Sequence, residues 1–166
     1  MKTITLLLLI VSGTFSAFSA SKALAAHPLE FLHGTWEGTG TTSGIASTVR
    51  FNWGPALGGR YTSLQIHNRM RGENDLEYLF EGIGYYQPSN EQTLTGVWVD
   101  NQGDILPILA TLEEQTLIAT WGSEDSKQGR SEYRLLPDGT LEAIDSIRND
   151  RGEWREFGRA RLVRAR

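Results

Sequence analysis

From Gly34 onward the chain shows no sustained helical periodicity. Short stretches rich in Thr, Val, Ile, Tyr, Phe and Trp alternate with clusters of turn residues every 8–14 positions or so, the pattern of an all-β domain. Ten strands are predicted, roughly at 35–42, 46–54, 59–70, 76–86, 93–100, 105–112, 116–122, 129–136, 140–149 and 154–164. Pro137-Asp138-Gly139 is the strongest turn signal, because Asp-Gly supplies the positive φ angles of a tight hairpin. Pro88-Ser89-Asn90, Asp100-Asn101-Gln102-Gly103 and Asn149-Asp150-Arg151-Gly152 mark further turns. Links this short imply antiparallel neighbours in up-and-down order. An open sheet of ten strands leaves two unpaired edges, whereas closure removes them. The expected fold is therefore a closed antiparallel β-barrel, with a two-sheet sandwich as the alternative. Glycines inside strands, at 82, 84, 96 and 158, fit strong curvature or close backbone approach.

Before this ladder stands His27-Pro28-Leu29-Glu30-Phe31-Leu32-His33-Gly34-Thr35-Trp36, read as one helical turn followed by Gly-x-Trp. Residues 1–25 read as a cleaved signal peptide. Lys2 is the positive region, Leu6 to Val11 the apolar run, and Ala23-Leu24-Ala25 the small-x-small cleavage site. The apolar run is too short to span a bilayer as a helix, which needs about 20 residues. Residues 26–166 then form one domain. The expected location is the periplasm or exterior.

Charge and composition exclude several functions. The chain has no cysteine, hence no disulfide, thiolate metal site or lipidated cysteine. Removal of Lys2 and Lys22 leaves 14 basic against 20 acidic residues, a net charge near −6. Such a chain is a poor candidate for nucleic acid or an anionic membrane. Arginines concentrate in the last strand, where a solvated face and an anion subsite are both open readings.

Three segments together resemble the calycins, above all the nitrobindin-like and related bacterial ten-stranded barrels. They are Leu29 to Gly38, Leu57-Gly58-Gly59-Arg60-Tyr61, and Glu81-Gly82-Ile83-Gly84-Tyr85-Tyr86 with Gly96-Val97-Trp98-Val99-Asp100. The resemblance implies a barrel plugged by the helical turn, with Trp36 packed over it and Arg161 or Arg164 covering the indole. It also implies an ion pair between Arg60 and Asp100. Thr41-Thr42-Ser43-Gly44 leaves no room for the helical lid of fatty-acid-binding proteins. Haem-holding relatives use a histidine late in the barrel; here none follows His67, so no cofactor is expected.

Five tryptophans stand in the chain, and Trp98 and Trp121 suit either core or cavity wall. In the third strand Tyr61, Ser63, Gln65 and His67 share one face; Thr62, Leu64 and Ile66 take the other. If the polar face lines the barrel, His67 is a titrating group in a cavity. His27 and His33 lack metal spacing and read as capping or surface residues. Asp145 lies mid-strand on the face of Leu141, Ala143 and Ile147 and is a candidate buried acid. No nucleophile elbow or metal motif occurs.

The function expected is binding of a small apolar or amphipathic ligand by Tyr61, Gln65, His67, Trp98, Trp121 and Tyr133. The alternatives are a cavity enzyme using His67 with Asp145 as acid and base, and a filled barrel that binds a protein partner.

Overall fold

A computed structural model describes residues 27–123 and 127–166. The signal peptide expected at 1–25 lies outside these residues. Ten strands follow one short turn of 3-10 helix, the plug turn, at Glu30–Leu32, and a second such turn, Glu73–Asp75, joins the third strand to the fourth. The strands are β1 (Gly34–Thr42), β2 (Ile45–Ala56), β3 (Tyr61–Arg71), β4 (Glu77–Pro88), β5 (Thr93–Asp100), β6 (Ile105–Glu113), β7 (Thr116–Gly122), β8 (Gln128–Leu135), β9 (Leu141–Arg148) and β10 (Trp154–Arg164). Each pairs antiparallel with its sequence neighbours, and β10 returns to pair with β1, closing the barrel. The sandwich alternative is thereby excluded. Among the described residues no helix is long and apolar enough to cross a membrane.

The hairpins depend on local chemistry. Ser43 and Gly44 form a two-residue turn with φ of 51° and 79°, so β1 passes directly into β2 with no lid. At Pro137-Asp138-Gly139 only Gly139 takes positive φ, 80°, and its N–H donates to Leu136 O at 2.9 Å. This corrects the expectation that both residues of the Asp-Gly pair do so. The turn is of the type that ends in a glycine bulge.

Alternation along each strand sends one set of side chains inward. The half of the barrel near the plug turn is solid. Leu29, Leu32, Trp36, Leu64, Leu94, Leu117, Leu141 and Leu162 are fully buried there. Trp53, Tyr86, Tyr133 and Phe51 pack above them, with Trp53 and Phe51 meeting Tyr133 edge to face at 5.2 and 5.8 Å. The outer face of β8, β9 and β10 carries an ion-pair ladder through Arg130, Glu132, Arg134, Glu142, Arg159 and Glu156.

The plug is latched at the seam. Trp36 Nε1 donates to Leu32 O at 2.7 Å. Trp36 stands opposite Arg164, so both point inward. The Arg164 guanidinium lies 4.3 Å from the indole centre and donates to the carbonyls of His33 and Phe31. Gly34 takes φ of 123°, and a Cβ there would stand 2.6 Å from Arg164 Nη1. Gly-x-Trp is thus a glycine that admits the arginine and an indole that the arginine covers. Arg161 does not share this role. Its odd position turns it outward, where it binds Asp138 at 2.5 Å and Thr140 at 3.2 Å.

Candidate functional site: the open half of the barrel

The end opposite the plug turn holds a cavity of about 470 Å³, within the range of small-molecule sites. Its walls are mainly apolar and aromatic, including Phe51, Ile66, Phe80, Trp98, Ile108 and Trp121. The mouth carries Asp100, Asp104, Lys127 and Arg159.

Two glycines set the tryptophan walls. Trp121 stands opposite Gly129, and a Cβ on Gly129 would lie 1.9 Å from the indole. Trp98 lies over Gly82 in the same manner, at 2.1 Å, and stacks on Phe80 with centroids 6.2 Å apart. Each ring therefore lies against a neighbouring strand and lines the cavity.

A polar chain crosses the floor. Ser131 and Asp145 are cross-strand partners on β8 and β9. Trp121 Nε1 donates to Ser131 Oγ at 3.2 Å, and Ser131 Oγ donates to Asp145 Oδ1 at 2.5 Å. Side-chain hydrogen bonds tie Tyr133 to Ser131 and to Tyr86. Burial raises the Asp145 carboxyl to about 6, with the Ser131 bond opposing the rise. Burial raises both tyrosine hydroxyls, with Asp145 adding at Tyr86, and Tyr86 and then Asp145 adding at Tyr133, so they stay neutral.

Of the six ligand residues expected, Trp98, Trp121 and Tyr133 line this cavity together. Tyr61, Gln65 and His67 do not. The apolar face of β3 takes the interior, as burial of Leu64 and Ile66 requires, and turns the polar face to solvent. His67 Nδ1 meets Glu81 Oε1 at 2.8 Å on the outside, both side chains 45% exposed. The barrel wall separates His67 from Asp145, so the pairing of these two as acid and base is corrected. The Arg60–Asp100 pair is also absent. Arg60 sits beside Tyr61 at the plug end. Asp100 pairs with Gly82, itself opposite Ile66 and about 20 Å farther along the barrel. Asp100 instead accepts Trp98 Nε1 at 2.9 Å and the backbone N–H groups of Gln102 and Asp104.

Sequence reasoning missed Ser47, Asn68, Met70, Phe80, Tyr86 and Ser131, all lining the cavity. Asn68 and Met70 continue the inward parity of Leu64 and Ile66, and that parity was the signal available. His27 and His33 meet on one buried oxygen. Thr62 Oγ1 lies 3.0 Å from His27 Nδ1 and 3.1 Å from His33 Nε2. Among the described residues no group of three or more His, Cys, Asp and Glu is placed to hold a metal ion.

No protein-family model matches this chain, and no curated protein does. Sixteen chains of solved structures do resemble it, so the architecture recurs. The crystal structure of Rv2717c from M. tuberculosis matches over 83% of this chain and 95% of that one, with a TM-score of 0.61 and 17% sequence identity. At that identity the likeness concerns the fold alone: this chain folds as a ten-stranded barrel of a kind found in a mycobacterial protein.

Proposed function

We propose that the protein is an exported carrier holding a small, mainly apolar or amphipathic molecule in the open half of its barrel. The observation that carries this reading is the division of the interior. One half is packed solid, while the other keeps about 470 Å³ walled by indoles over a short polar floor. Burying about 150 Å² of apolar ligand surface there contributes roughly 4 kcal/mol before association costs. The calycin-like motifs and the leader-like first 25 residues support a binding barrel that works outside the cytoplasm.

Haem suits this cavity poorly. Its iron needs an axial donor, and no histidine lines the walls. Tyr86 and Tyr133 are held neutral, and Met70 has no histidine to complete a Met/His pair.

A second reading, a partner-binding barrel, draws on one observation. Val99, Ile105 and Leu109 expose an apolar strip on the outer face of β5 and β6.

The test is native mass spectrometry of the protein from its own export compartment, with an absorption spectrum of the same sample. The carrier reading expects a reproducible added mass that is lost on denaturation. The bare chain mass, together with failure to bind the probes named below, overturns it. A Soret band identifies haem instead.

A further inference from the structure

The cavity offers oxygen acceptors without matching donors. Asp145 Oδ1 is engaged by Ser131, but Oδ2 has no hydrogen-bond partner among the described residues. Asn68 Nδ2 donates to Thr42 Oγ1 at 3.0 Å, which leaves its buried Oδ1 unpartnered. Both side chains line the cavity. The cations near the mouth are committed elsewhere. Lys127 lies 3.5 Å from Asp104 and 5.8 Å from the centre of the Trp121 ring. Arg159 holds Glu142 at 2.7 Å and Glu156 at 2.8 Å. Among the described residues no Lys, Arg or His pairs with Asp145. A carboxylate in such surroundings is costly until a positive charge joins it. The faces of Trp98 and Trp121 also attract cations.

We propose that the ligand is an organic ammonium, a protonated amine on a compact apolar body. The amine sits against Asp145, and the apolar body lies between Trp98 and Trp121. This assignment rests on the carrier reading and adds the ligand's charge to it. An anionic ligand meets repulsion from Asp145 and from Asp100 and Asp104 at the mouth. A neutral ligand leaves the Asp145 charge uncompensated. The groups around Asp145 do not supply that charge. Ser131 and Tyr133 on β8, Tyr86 on β4 and Trp121 on β7 are neutral, and Arg159 on β10 is held by its two glutamates.

The test uses three probes with one naphthyl body: 1-naphthylmethylamine, 1-naphthylmethanol and 1-naphthoate. Binding to the full mature chain is measured by calorimetry at pH 8. The amine is expected to bind at least about tenfold more tightly than the alcohol, and the acid most weakly. Asp145→Asn is expected to bring the amine to the level of the alcohol. His67→Gln, outside the barrel, is expected to change neither. Alcohol or acid binding as tightly as the amine overturns the ammonium assignment and leaves the carrier reading standing. So does amine binding that Asp145→Asn does not move. If none of the three binds, the assignment falls, and the carrier reading falls with it once the native sample also shows no added mass. Should Asp145→Asn fail to fold, the wild-type pH profile decides. Amine affinity is expected to drop as pH falls through about 6, where Asp145 takes up its proton, and to drop by more than alcohol affinity does. A level amine profile overturns the assignment.

Discussion

Gly129 and Gly82 determine where two indoles lie, and so determine the cavity's shape. A single methyl at Gly129 would stand 1.9 Å from the Trp121 ring, and the ring must leave the strand to admit it. Gly129→Ala is expected to cost about 1–3 kcal/mol in urea unfolding and to shift tryptophan emission, because the displaced ring enters the cavity. Unchanged stability and emission would show that Trp121 does not rest on this glycine. Asp145 gives a second residue-scale prediction, with a sign set by linkage. Its folded carboxyl titrates at about 6 against 3.8 for the ordinary side chain. Between those values the folded state holds the proton more tightly than the unfolded chain, so stability falls as pH rises through the window. Asp145→Asn is therefore expected to be more stable than wild type at pH 8, by about 2 kcal/mol after allowance for water in the open cavity. The difference should vanish near pH 3.5. A variant less stable at pH 8 would mean that the carboxylate is already compensated.

Among the elements, the plug turn is the one whose attachment depends on side chains instead of a backbone ladder. Arg164 binds two of its carbonyls and covers Trp36. Arg164→Ala is expected to cost about 1–3 kcal/mol in thermal or urea unfolding, since it leaves carbonyls and an indole face unmatched. Arg161→Ala, by comparison, removes an exposed pair and is expected to cost under about 1 kcal/mol. On the far side of the plug, Thr62 Oγ1 joins His27 to His33. His27 Nδ1 also accepts the Leu29 N–H at 3.3 Å, so this nitrogen carries no proton. Burial holds both histidines below their ordinary value of 6.5, with mutual repulsion adding at His27 and Arg164 at His33. Below 6.5 the unfolded chain then takes up protons that the folded chain refuses. The plug's contribution is full above that pH and is lost as pH falls through the lowered folded values. This slope opposes that of Asp145, so it is best read in an Asp145→Asn background. There the melting temperature is expected to fall from pH 7 to pH 5, and His27→Gln with His33→Gln to flatten the fall. A slope that survives both substitutions assigns it to other groups.

At the scale of the whole molecule, the ladder of strands was legible because turn residues such as Pro137-Asp138-Gly139 and Ser43-Gly44 are chemically distinct from what they join. The predicted strands agree with β1 to β10 to within two residues. The cavity was legible only in part. Trp98, Trp121 and Tyr133 have the bulk a wall requires. The inward face of β3 had to be chosen, and burial of Leu64 and Ile66 chose it against His67. The contacts between distant positions were not legible. Nothing local to His27, His33 and Thr62 announces that they converge, because that depends on how the plug turn seats against β3. The seam depends equally on remote partners, since β1 is held by β10 across the whole length of the domain. Deletion of residues 159–166 is expected to leave β1 and β9 with open edges and to yield oligomers in size-exclusion chromatography. A monomeric, well-folded product would show that the seam is dispensable.

That seam also bears on when the chain can fold. The strand that closes the barrel is the last one made, and it carries the arginine that fastens the first turn. Until β10 is available, one edge of β1 lacks its partner and the plug lacks its latch. The barrel can close only once all ten strands exist, so the first strand and the last must find each other across the whole domain, a pairing of the slowest, most non-local kind.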